Sequence, residues 1–265
     1  METNMGPQVI QAIADELDRA RQSRTPVEPL TDRYPDFTVA DAYLVQTTNI
    51  ERELGRGRTR AGRKIGLTSK AMQDMFGVGE PDYGVLLDDM ILDAETPIPL
   101  SRLIQPKVES EMAFFLKKAL RGPGITIPAV IQATEAVMPA LEIVDSRIRH
   151  WRIKLPDTVA DNAAAGMLVV GNTMIDPRQL DLQTVGMVFE QNGRIIATAA
   201  GAEVLGHPAA AVAWLANKLA SFGQGLEAGE IILSGAMTKA VEMVPGDVFR
   251  ATFGGMGSVK ARFVA

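Results

Sequence analysis

Apolar residues recur at helical spacing in the first part of the chain and at strand spacing in most of the rest. Val9, Ile10, Ile13 and Leu17 share one face of a helix over about Gln8–Ala20. A polar loop, Arg21–Asp36, follows and contains Pro26, Pro29 and Pro35. Val39, Tyr43, Ile50 and Leu54 mark the apolar side of a second helix, Val39–Leu54. Thr38 is its expected N-cap, with Asp41 supplying the reciprocal carboxylate of a capping box, and Gly55-Arg56-Gly57 is its stop.

Beyond this point short apolar runs bounded by Gly and Pro dominate. Lys107–Leu116 predicts a strand in which Glu109, Glu111, Ala113 and Phe115 share a face at period two. A Gly/Pro turn at Arg121-Gly122-Pro123-Gly124 leads to a predicted helix from about Ile127 to Ala136. Strands are expected at Val137–Asp145 and Met167–Val170. Asn192-Gly193 joins Val185–Glu190 to Arg194–Thr198 as a hairpin. Pro208 opens a helix reaching about Phe222, and Ile231–Leu233 is a buried-type strand. Asp247–Phe253 and Val259–Val264 pair around Gly254-Gly255-Met256-Gly257. The pattern predicts an α+β protein, with a mainly helical region over 1–75 and a β-rich catalytic core over 76–265. Strands are not regularly separated by helices, which disfavours a doubly wound parallel sheet.

Composition narrows the chemistry. The chain has 265 residues, 46% of them hydrophobic, and a net charge of −5. A mildly acidic chain without a basic block argues against nucleic acid or an anionic membrane as the main partner. There is no cysteine, which excludes disulfides, thiolate nucleophiles and Cys-ligated metals and fits a reducing cytoplasm. No signal peptide and no span-length apolar stretch is evident. With only His150 and His207, a histidine-rich metal site is impossible. Carboxylates, Lys, hydroxyls or a bound cofactor must carry any chemistry. The glycines at 254–257 do not form a dinucleotide fingerprint, and no Walker motif exists.

Glu109 and Glu111 are the strongest local signal. Carboxylates at i and i+2 of a strand repel, and burial makes ionising them costly; a divalent cation such as Mg²⁺ or Mn²⁺ relieves both. The competing reading is a solvated strand face. Glu142 lies between Ala140 and Val144 in an apolar segment, where a carboxylate demands a partner. That partner is either the same metal or a cation such as Arg147. Lys64, at an apolar strand end, can act as acid, base or electrostatic clamp, although most lysines are simply exposed. Asp82 sits in a turn sequence where Asp is common for local reasons. Asp161-Asn162 and Ser234 carry no stronger signal.

Six segments together resemble a known family: Arg63–Lys70 (RKIGLTSK), Pro81–Gly84 (PDYG), Gln105–Phe115 (QPKVESEMAFF), Glu142–Arg147 (EIVDSR), Asp157–Ala163 (DTVADNA) and Ile231–Gly235 (IILSG). The chain is similar over nearly its whole length to the 2-hydroxypenta-2,4-dienoate (2-oxopent-4-enoate) hydratases of the fumarylacetoacetase-like superfamily. The resemblance implies a mixed β-roll core of the fumarylacetoacetase C-terminal-like type. It also implies a homo-oligomeric hydro-lyase of aromatic meta-cleavage degradation. Glu109, Glu111 and Glu142 would hold Mg²⁺ or Mn²⁺, Lys64 and Asp82 would be catalytic, and Lys64 and Ser234 would meet the substrate. The product would be 4-hydroxy-2-oxopentanoate or a close homologue. A sister 4-oxalocrotonate decarboxylase shares the same metal triad and Lys. Asp145–Ala163, with Trp151, is closer to the hydratase branch. An acylpyruvate hydrolase fits less well. A non-catalytic partner in a complex with the sister decarboxylase should have lost a carboxylate or the Lys. Association with that decarboxylase or a downstream aldolase is a further implication.

Overall fold

Helices occupy the beginning of the chain because their apolar positions recur on one face. In the computed structural model, which describes residues 3–94 and 96–265, α1 (Pro7–Ser23) buries Ile10, Ile13, Ala14, Leu17 and Ala20. The short α2 (Leu30–Arg33) leads into α3 (Val39–Gly55). Thr38 caps α3 as predicted: its hydroxyl accepts the Asp41 N–H at 3.1 Å, and the Asp41 carboxylate accepts the Thr38 N–H at 3.0 Å. The same carboxylate accepts the Asn4 and Met5 amides, pinning the start of the chain to α3.

The chain then enters the sheets through β1 (Arg60–Gly66), α4 (Lys70–Phe76) and β2 (Asp82–Leu87). Two short strands, β3 (Ile91–Leu92) and β4 (Ile98–Pro99), precede the long β5 (Pro106–Leu116). Next come α5 (Ile127–Ala133), β6 (Thr134–Asp145), α6 (Leu155–Ala160) and β7 (Ala165–Val170). The hairpin β8 (Gly186–Gln191) and β9 (Arg194–Ala200) is followed by α7 (Pro208–Ala220). The last strands are β10 (Ile231–Ala236), β11 (Val241–Glu242), β12 (Val248–Phe253) and β13 (Gly257–Val264).

The main sheet runs β2-β1-β10-β5-β6-β7-β3, with β11 also on β5; the second runs β4-β13-β12-β8-β9. Both are mixed: β1–β10, β3–β7 and β4–β13 pair in parallel, the rest antiparallel. The mixed β core with a helical beginning is the architecture that the hydrophobic pattern predicts. β1 lies within the first 75 residues yet sits inside the main sheet, between β2 and β10.

The helix expected to reach Ala136 ends at Ala133. Thr134 and Ala136 pair with Leu116 and Phe115 instead, so the ladder with β5 wins over helix continuation. The Asn-Gly hairpin forms with both turn residues at positive φ, 53° for Asn192 and 76° for Gly193, as a tight two-residue turn requires.

The two faces of the main sheet have different environments. Met112, Phe114, Leu141, Ile143 and Ile232 belong to the large core that also takes in α1, α7 and the second sheet. Each such side chain contributes about 1.5–3 kcal/mol on burial. Ala113, Met138, Ala140, Leu168 and Leu233 form a smaller cluster on the other face, which also carries the glutamates. Among the described residues no helix is long and apolar enough to cross a membrane.

Candidate active site

The glutamates meet because β5 and β6 pair in register. Glu109 lies directly opposite Glu142, and Glu111 opposite Ala140, so period-two alternation puts all three carboxylates on one face. One oxygen from each lies within 4.8 Å of the others. Glu142 is fully buried, and among the described residues neither of its carboxylate oxygens finds a hydrogen-bond donor. Glu111 accepts the Gly235 N–H at 2.9 Å. Gly235 has φ of +121°, and a Cβ there would stand 2.1 Å from Thr68 Oγ1, so only glycine brings that amide to Glu111.

Lys64 and Asp82 arrive from neighbouring strands. Lys64 on β1 pairs with Leu233 of β10 and Gly84 of β2, and Gly66 pairs with Asp82. Lys64 Nζ stands 3.5 Å from Glu142 Oε2 and donates to the Ala163 carbonyl at 3.0 Å. Asp82 is buried, with Oδ1 unpartnered. A Cβ at Gly66 would lie 2.2 Å from Asp82 Oδ1 and 3.4 Å from Lys64 Nζ, so the absent side chain is what lets these groups converge.

The electrostatics are those of crowded, desolvated carboxylates. Glu109 is pushed up to about 7 by burial and then by the charge of Glu142. Burial, with Glu142 and Glu109, holds Glu111 well above the ordinary carboxylate range. Burial also raises Glu142 and Asp82, against the attraction of Lys64 in each case. Burial alone would lower Lys64, but Glu142, Asp82, Glu109 and Glu111 together raise it, so the ammonium stays charged. Four carboxyl groups around one ammonium gather hard oxygen donors in one place. The orphaned oxygens of Glu142 and the convergence of three carboxylates fit a divalent cation.

A stability prediction follows from Glu109. Between the ordinary value of 4.5 and about 7, the folded metal-free chain keeps a proton that the unfolded chain has released. This stabilisation is complete below the ordinary value and is lost as pH rises through about 7. Melting temperature in EDTA is therefore expected to fall from about pH 5 to about pH 8. Mg²⁺ should raise it more at the higher pH, where no proton must be displaced. Equal Mg²⁺-induced shifts in thermal scans at both pH values would contradict the assignment.

Other sequence candidates lie elsewhere or act locally. Arg147 is not the partner of Glu142. Its Nε donates to Asp161, and its Nη1 to the Asp145 and Ala165 carbonyls at 2.7 and 2.9 Å. Ser234 is fully buried and donates to the Met112 carbonyl at 3.0 Å. The His150 side chain is exposed, and His207 Nδ1 accepts the Ala209 N–H at the start of α7. Trp151 donates to the Gln105 carbonyl at 3.0 Å, with Lys107 Nζ 5.0 Å from its ring centre.

The Ala163 carbonyl has no signal in the sequence, since every residue carries one. Asn162, Ala163 and Ala164 have φ of 54°, 51° and 54°, a left-handed turn built without glycine. Such residues cost about 1–2 kcal/mol each, so the surroundings must hold them.

The chain is similar to known proteins over nearly its whole length. The chain is 50% identical over 260 residues to the 2-keto-4-pentenoate hydratase of Paraburkholderia xenovorans (strain LB400), covering 98% of this chain and 96% of that one. It is also 50% identical over 220 residues to a 2-hydroxypent-2,4-dienoate hydratase of Pseudomonas putida, covering 83% of this chain and 99% of the relative. The solved 4-oxalocrotonate decarboxylase from Pseudomonas putida G7, complexed with magnesium and adipate, superposes with a TM-score of 0.96. That match has 37% identity and covers 99% of this chain and 100% of that one. Residues 53–264 match the fumarylacetoacetate (FAA) hydrolase C-terminal family, and the chain belongs to it.

Proposed function

We propose that the protein is a metal-dependent hydro-lyase that converts 2-hydroxypenta-2,4-dienoate, or a close homologue, to 4-hydroxy-2-oxopentanoate in meta-cleavage degradation of aromatic compounds. The observation that carries this reading is the convergence of half-buried Glu109 with buried Glu111 and Glu142, facing Lys64 and Asp82, in a chain half identical to named hydratases. Glu109, Glu111 and Glu142 would hold the divalent ion, and an all-oxygen set favours Mg²⁺ or Mn²⁺. When bound, the ion supplies Lewis-acid polarisation of the substrate's 2-oxygen and carboxylate.

The chain's own residues account for the rest. The reaction first moves the enol proton's equivalent to C5, giving a conjugated 2-oxo-3-enoate. Water then adds hydroxyl at C4 and a proton at C3. Each stage places negative charge on the C2 oxygen, which the buried Lys64 ammonium is suited to stabilise. Asp82, raised by burial and with Oδ1 unpartnered, is suited to carry a proton, deliver it to carbon, and then take one from water. Ser234 is assigned a substrate contact, in which its hydroxyl turns from the Met112 carbonyl to the stronger acceptor of a substrate carboxylate. We expect a homo-oligomer working in a reducing cytoplasm, able to associate with the sister decarboxylase or a downstream aldolase.

The test is an assay on freshly generated 2-hydroxypenta-2,4-dienoate with Mg²⁺, run beside 2-oxohex-3-enedioate. Loss of the dienol absorbance with formation of 4-hydroxy-2-oxopentanoate, abolished by EDTA, is expected. Release of CO₂ from the diacid while the dienol persists would replace the reading with a decarboxylase.

A further inference from the structure

The left-handed turn Asn162–Ala164 stands between the strand that carries Asp82 and the ammonium of Lys64. Asn162 grips β2 with both ends of its amide. Its Oδ1 accepts the Val85 N–H at 2.8 Å, and its Nδ2 donates to the Val85 carbonyl at 2.9 Å. That pair of bonds is what an adjacent strand would offer, so the side chain caps the free edge of β2 as a strand would. β2 accommodates the turn because residue 84 is glycine: a Cβ there would stand 2.4 Å from the Asn162 carbonyl oxygen. On the far side, Asp161 is tied to Arg147, whose backbone N–H donates to Asp161 Oδ2 at 2.9 Å.

The turn holds three successive non-glycine residues at positive φ, an arrangement that persists only where the surroundings over-determine it. Its consequence is local: the Ala163 carbonyl points at Lys64 Nζ, 3.0 Å away. Lys64 otherwise faces Glu142 at 3.5 Å, and a flexible four-carbon stem has no rigidity of its own.

We propose that Asn162 is a positioning residue, which clamps the left-handed turn to Val85 so that the Ala163 carbonyl orients the Lys64 ammonium between Glu142 and the substrate. The proposal rests on the hydratase reading for its kinetic consequences, but its structural content stands apart from it. Asn162 touches no reacting atom. It acts through Ala163 on Lys64, and through Val85 it couples Lys64 to the strand that carries Asp82, three residues earlier.

The experiment compares wild type with Asn162→Gly and Asn162→Ala, all as full-length Mg²⁺-loaded protein. Asn162→Gly removes both side-chain bonds while tolerating the positive φ, so it reads the clamp even where Asn162→Ala fails to fold. For Asn162→Gly, kcat on the dienol is expected to fall about 100-fold, the size of effect that a misplacement of about 1 Å produces. KM and Mg²⁺ affinity by calorimetry should stay within about twofold, because the triad lies on β5 and β6. In a Lys64→Met background the same substitution should cause little further loss, since the residue it positions is gone. The Lys64 ammonium resonance in ¹H–¹⁵N spectra, assigned by its absence in Lys64→Met, should shift or broaden in Asn162→Gly whatever the substrate is.

Wild-type kcat in a folded Asn162→Gly protein, or a full additional loss in the Lys64→Met background, would overturn the proposal. So would an unperturbed Lys64 resonance. Absence of wild-type turnover on the dienol would instead remove the hydratase reading, and the resonance would still decide the positioning role.

Discussion

Replacing Lys64 by Met is expected to lower turnover of the dienol about 1,000-fold while changing Mg²⁺ affinity by less than about tenfold. Lys64 is the ammonium that faces Glu142 at 3.5 Å, and its side chain is 6% exposed, so little solvent shields the charge. A desolvated, pre-oriented cation stabilises an enolate oxygen far better than water does, because nothing must reorganise as the charge develops. The effect on the metal is smaller for a compensating reason. Loss of the cation strengthens the attraction of the carboxylates for Mg²⁺ and for competing protons alike, so the two changes offset. Steady-state kinetics with isothermal titration calorimetry separates them. Turnover within about tenfold of wild type would remove Lys64 from the chemistry, and a collapse of Mg²⁺ binding would make its role structural.

The second large effect is expected from Glu111→Gln. The amide oxygen can still accept the Gly235 N–H, so the packing around β10 is retained, while one of the three converging carboxylates can no longer ionise. Mg²⁺ affinity should weaken roughly 100-fold or more, and turnover should fall about 1,000-fold at ordinary Mg²⁺ concentrations. The metal-free variant should nevertheless melt no lower than wild type. Burial, with Glu142 and Glu109, holds Glu111 well above its ordinary range, so the metal-free fold already disfavours its charge and a neutral amide of the same shape costs little. Calorimetry and thermal melts in EDTA check the two halves. Undiminished Mg²⁺ affinity would exclude Glu111 as a ligand, and a large drop in the metal-free melting temperature would show that its charge is needed for folding.

The positions that sequence reading identifies are those where residue type and spacing suffice. Glu109 and Glu111 share a face because a strand alternates, and Thr38 and Asp41 cap a helix because both partners lie within one turn. The Asn192-Gly193 hairpin is local for the same reason. The end of α5 is different: Thr134–Ala136 join β6 because β5 offers them a ladder, and β5 is distant in sequence. Likewise the choice of partner for Glu142 depends on tertiary contacts. Arg147 is five residues away, but Asp161 claims its guanidinium and Lys64, from another strand, faces Glu142 instead. The turn at Asn162–Ala164 lies partly within a segment that carries the family resemblance, but no residue type there marks its role, because its work is done by a backbone carbonyl and by an amide that reaches across to β2.

By itself the sequence determines the helical beginning, the β-rich remainder, the absence of thiol chemistry and the pairing of Glu109 with Glu111, since each depends on composition or on spacing within one element. Tertiary structure decides that Glu142 lies opposite Glu109, that Lys64 and Asp82 converge where Gly66 leaves space, and that Ala163 orients the ammonium. The physical reason is register: which strands pair, and at which residue, is set by the burial of both sheet faces at once, and no single segment contains that information.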